Sequence, residues 1–106
     1  MIERYVFVKL KDEYSNAEGR KEVIERTLAD LRGIAGADKI IVGAPADESA
    51  LASWDISIVV VFSSADAVEP YLADPAHRTY VDDFLTPRVE VIKYWNFEVE
   101  VAEGPA

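Results

Sequence analysis

The chain contains no cysteine, which excludes disulfides, zinc-thiolate centres and thiol nucleophiles. It has one histidine, so a dedicated transition-metal site is not expected, although a hard cation held by carboxylates stays open. Basic residues are scarce: 11 Lys and Arg against 20 Asp and Glu give a formal net charge of −9. Such a surface repels phosphate backbones and anionic lipid, which argues against nucleic-acid and membrane partners. Glycine and proline number 5 each, too few for a fibrous or low-complexity chain. Long apolar runs are missing as well. The longest, Ile56 to Phe62, is broken by Ser57 and falls far short of the ~20 residues of a membrane span. No glycine-rich phosphate loop or nucleotide fingerprint occurs. No basic leader precedes the apolar sequence at Ile2, so a cytoplasmic protein without a signal peptide is expected.

What remains is a chain of 106 residues, half of them hydrophobic, enough for one domain with its own core. The domain is expected over 1–101, with 102–106 (AEGPA) as a frayed tail.

Residues 2–11 alternate as a strand. Ile2, Arg4, Val6, Val8 and Leu10 share one face, and Glu3, Tyr5, Phe7, Lys9 and Lys11 share the other. Ser15, with Glu18 three residues on, reads as the capping box of a helix whose stripe is Ala17, Val23, Ile24, Thr27, Leu28 and Leu31. Gly19 weakens its first turn, and Gly33 and Gly36 end it. Asp38 to Val42 reads as a short strand, residues 43–53 as a loop, and Asp55 to Phe62 as a central strand apolar on both faces. Ser63 or Ser64 caps a short helix, and Asp74-Pro75 starts another that stops before Pro87. A last alternating strand spans Val89 to Val101.

The order β-α-β-β-α-β is the ferredoxin-like, α+β pattern: a four-stranded, mainly antiparallel sheet with helices on one face. One face is then left bare. It would carry Tyr5, Phe7, Val59, Val61, Trp95 and Phe97, more apolar surface than a monomer usually exposes. A second copy packed sheet to sheet removes it, which predicts a homodimer.

His77 is the only side chain with an unperturbed pKa near neutrality. With Asp74 as N-cap it becomes the third helical residue, where the helix end favours the neutral imidazole a general base needs. Tyr71, six residues earlier across the helix break, can fold back beside it. The alternative is a polar cap neighbour and a core tyrosine. Arg4 points toward the helices, as an anion-binding group at a pocket mouth, in an ion pair with an acidic residue at the sheet end, or as a solvent-facing side chain. Asp74 is a cap, or an acceptor for the imidazole. Asp82 and Asp83 are adjacent, point apart on a helix and make no paired-carboxylate site.

Three stretches together resemble the stress-responsive A/B barrel (Dabb) family of dimeric α/β barrels. They are YVFVKLKD from Tyr5, Ser53-Trp54-Asp55 leading into a strand that ends Phe62-Ser63-Ser64, and YLADPAH from Tyr71 with Tyr80, Val81 and FLTP from Phe84. The resemblance covers roughly Ile2 to Phe97 and implies the fold and the dimer. The family includes stress-induced proteins, plant polyketide cyclases and a hydroxynitrile lyase. It implies a pocket between sheet and helices, with His77 as base and Tyr71 assisting. The lining expected in this chain is Arg4, Val6, Val8, Ile58, Asp74, Tyr80 and Phe84. Two positions depart from the pattern. Arg4 and Asp74 stand where many members carry histidine, so the cyclases' substrate is not carried over.

The function expected is a homodimer that binds a small organic molecule, as a lyase, cyclase or isomerase without a cofactor. Two rivals remain: a non-catalytic stress protein whose assembly is its function, and a cofactor-independent monooxygenase.

Overall fold

A computed structural model describes residues 1–104. In chain order the elements are β1 (Ile2–Leu10), α1 (Ala17–Leu31), β2 (Lys39–Gly43), α2 (Glu48–Ser53) and β3 (Ile56–Phe62). A 3₁₀ turn (Ala65–Ala67), α3 (Val68–Ala73), α4 (Pro75–Thr79), a π-helical turn (Tyr80–Leu85), a second 3₁₀ turn (Thr86–Arg88) and β4 (Val89–Glu98) follow. The sheet runs β2-β3-β1-β4, antiparallel at each junction. This is the expected ferredoxin-like arrangement, in which β1 and β2 are joined by α1 across an intervening strand.

Period-two alternation divides the sheet into a helix face and an open face. On the helix face Val8, Leu10, Ile56, Ile58, Val60 and Phe62 are buried against Val23, Leu31, Tyr71, Tyr80, Phe84 and Leu85. On the open face one row crosses all four strands: Ile41 opposite Val59, Val59 opposite Tyr5, and Tyr5 opposite Trp95. Trp95 is 48% exposed and Phe97 53%, while Tyr5, Phe7, Val59 and Val61 are half-buried. Phe97 meets Tyr5 edge-on at 5.7 Å, and Phe7 lies between Trp54 and Trp95. No helix among the described residues covers this face.

Five local expectations need correction. Asn16, not Ser15, caps α1: its side-chain oxygen accepts from the Gly19 N–H at 2.8 Å. The Ser15 hydroxyl is instead drawn to the buried Asp55 carboxylate, donating to it at 2.8 Å. Gly19 is not a weak point, because a Cβ there would sit 1.9 Å from the Tyr14 carbonyl oxygen. The expected loop 43–53 contains α2, capped by Asp47 through the Ala50 N–H. Beyond α4 the helix widens into the π turn, and β4 ends at Glu98 rather than Val101. The last two residues of the expected tail lie outside the described residues.

Candidate functional site

The helices do not reach across the whole sheet. They cover β2, β3 and β1 and leave the helix side of β4 open, where Ile92 is 36% and Tyr94 56% exposed. The gap is a cavity of about 470 Å³ between β1, β3 and β4 on one side and α3, α4 and the π turn on the other. Val6, Ile58, Val60, Leu31, Leu85 and Ile92 supply an apolar wall. Cavities of this order hold small organic ligands, ~300–1,000 Å³.

Four polar side chains converge on this wall. Arg4 and Asn96 are opposed in the β1–β4 ladder, and Arg4 Nη1 donates to Asn96 Oδ1 at 3.0 Å. The same guanidinium lies 4.6 Å from the centre of the Tyr94 ring. From the helical side come Tyr71, on α3, and His77, on α4. The Asp74 cap, whose Oδ1 accepts from the Ala76 N–H at 2.8 Å, turns the chain between them. Their ring centres are then 4.9 Å apart, and Tyr71 also packs edge-on against Phe62 at 5.2 Å. The Tyr71 hydroxyl and His77 Nδ1 are both buried with no hydrogen-bond partner in the protein. Buried polar atoms are nearly always satisfied, so two orphans on neighbouring rings of one cavity stand out.

The electrostatics agree with that geometry. Burial lowers the His77 pKa below its ordinary value, and Arg4 and Arg78 add to this, with the Leu72 backbone and Asp74 opposing. The shift favours the neutral imidazole. Burial pushes the Tyr71 hydroxyl up to about 12, with Tyr80 adding to the rise and Arg4 opposing it, so it remains a donor. Arg4 stays charged although burial lowers its pKa.

The structure brings together Arg4, Val6, Ile58, Tyr71, His77 and Tyr80 of the expected site. Val8, Asp74 and Phe84 do not line the cavity. Val8 is wholly inside the core, Asp74 is occupied as a cap, and Phe84 stacks on Tyr80 beneath the guanidinium groups of Arg26 and Arg88. Tyr80 lines the cavity with its hydroxyl already bonded to Thr27 at 2.5 Å. Of the alternatives for Arg4, the ion pair is not found: it has no carboxylate partner among the described residues, and Asn96 holds it at the cavity instead. Tyr94 and Asn96 were not anticipated. The signal lay in the ferredoxin-like strand order, which sets β4 beside β1 and so places both on the Arg4 face. No group of three or more His, Asp or Glu side chains suited to a metal ion occurs among the described residues.

The family model for the stress responsive A/B barrel domain matches residues 2–100. No curated protein matches the sequence. Among solved structures, a Dabb family protein with a ferredoxin-like fold from Mesorhizobium loti superposes with a TM-score of 0.78 at 20% identity, over 95% of this chain and 97% of its own. A dimeric ferredoxin-like protein of unknown function from Thermobifida fusca gives 0.78 at 17% identity, over 92% and 90%. The hydroxynitrile lyase from Passiflora edulis gives 0.75 at 15% identity, over 97% and 96%. At these identities the likeness is one of fold.

Proposed function

This chain belongs to the stress-responsive A/B barrel domain family, and on that footing we propose that it is a homodimer using the sheet–helix cavity to bind a small organic molecule. The reaction that fits is proton transfer at carbon, in a lyase, cyclase or isomerase that needs no cofactor. His77 takes a proton from a carbon next to a carbonyl, and the released electron pair moves onto the carbonyl oxygen. Tyr71 donates a hydrogen bond to that oxygen, while Arg4 lowers the potential energy of the developing negative charge. His77 then returns the proton at the same or a neighbouring atom. The observation that carries this reading is the pair of unpartnered buried atoms, Tyr71 Oη and His77 Nδ1, in one cavity.

The test is deuterium exchange at the α-carbon of a panel of small ketones, β-keto esters and β-keto acids in D₂O, followed by NMR. Exchange above background in the wild type, lost in His77→Ala and reduced in Tyr71→Phe, is the expected result. Equal exchange in wild type and His77→Ala removes the base. The second reading, a dimer whose assembly is its function, draws on the bare aromatic face. It predicts that both substitutions leave every ligand-dependent property unchanged.

A further inference from the structure

The formal net charge is −9, yet the cavity lining holds two arginines, Arg4 and Arg78, against one acid, Glu69. Arg78 is engaged by Asp82 on its own helical segment at 3.4 Å. Arg20, Arg26 and Arg88 likewise have carboxylate partners. Arg4 is half-buried, has none among the described residues, and is held by an uncharged amide and an aromatic face. An arginine in this position has no carboxylate to offset its partial loss of water. Asn96 occupies one guanidinium nitrogen and fixes the plane of the group, so donors on the fork remain for a planar oxyanion.

We propose that the natural ligand is a carboxylic acid with a compact apolar body, bound as its monoanion with the carboxylate on Arg4. The body lies against Val6, Ile58, Val60 and Ile92. This leaves its polar substituent, a carbonyl or hydroxyl, facing Tyr71 Oη and His77 Nδ1. A phosphate ester fits less well, because a second negative charge would meet Glu69 with no further free cation in the lining. The inference rests on the cavity being the ligand site, as proposed above, and adds the charge of the ligand.

The experiment compares benzoate, cinnamate and hydrocinnamate with their uncharged amides, using the His77 ring resonances as reporter. The acids are expected to bind at least tenfold more tightly than the amides. Arg4→Met should bring the ratio close to unity, and Arg4→Lys should keep a preference for the acids. If Arg4→Met does not fold, the Arg4→Lys comparison and the wild-type ratio still decide. Acids and amides that shift His77 with equal affinity overturn the acid assignment and leave the cavity as a ligand site. If none of the six moves His77, both the assignment and the cavity reading fall.

Discussion

Two titratable side chains, His77 and Asp55, make stability pH-dependent in separate windows. His77 has a folded pKa below its ordinary 6.5. Just below 6.5 the unfolded chain therefore binds more protons, and stability falls as the pH drops through that window and is flat above it. Asp55 is fully buried. Burial works to raise its pKa, but the Leu10 N–H, the Ser15 hydroxyl, Arg20 and Lys9 together bring it below 3.8. Its contribution is present above 3.8 and is lost as the pH falls through the folded value. Urea unfolding across pH 3 to 8 should thus show a shallow loss below 6.5 that His77→Gln abolishes, and a second loss in acid. Asp55→Asn should cost about 2–3 kcal/mol at neutral pH, because Lys9 and Arg20 lose their shared partner while remaining partly exposed. A cost near zero would show that the carboxylate is replaceable there. Gly19→Ala sets helix propensity, worth about 1 kcal/mol in favour of alanine, against the clash with the Tyr14 carbonyl. The backbone contact wins, and the variant should be less stable than wild type.

The strap formed by α3, α4 and the π turn holds two buried tyrosines with opposite duties. Tyr80 Oη shares a buried hydrogen bond with Thr27 on α1, so Tyr80→Phe strands the threonine hydroxyl and should cost about 1–2 kcal/mol. Tyr71 Oη has no partner, so Tyr71→Phe should leave the melting temperature nearly unchanged and weaken ligand binding at His77. Calorimetry and ligand titration on the two variants should give opposite orders of effect; the same order in both assays contradicts the assignment. The π turn that buries Tyr80, Phe84 and Leu85 together was not visible beforehand, since its residues also suit an ordinary helix. Strand faces were legible, because alternation and two-sided apolar strands are local patterns. The α1 cap was not: Ser15 and Asn16 are both good caps, and a carboxylate 40 residues away decides between them. His77 and Tyr71 stood out by rarity and spacing. Their neighbours Tyr94 and Asn96 depend on a strand pairing between the two ends of the chain.

At the scale of the molecule, the unresolved force is the open face of the sheet. The row Ile41, Val59, Tyr5 and Trp95, with Phe7, Phe97 and Val91 around it, forms an apolar surface that no segment among the described residues covers. Monomers seldom expose patches beyond ~300–600 Å². A face of this kind can be buried against its own copy, since a two-fold axis brings the same patch to both sides. The Thermobifida fusca protein of similar fold is described as dimeric. The acidic charge of each protomer opposes the approach, so the burial of aromatic surface has to outweigh a repulsion that salt screens. Sedimentation should accordingly find a dimer at micromolar concentration that tightens as salt is added. Trp95→Glu and Phe7→Glu place a carboxylate in the centre of the contact, where it is poorly solvated. Both should yield monomers with the far-ultraviolet dichroism of the wild type, or aggregates where the exposed face finds other surfaces. A monomeric wild type under these conditions would remove the sheet-to-sheet dimer altogether.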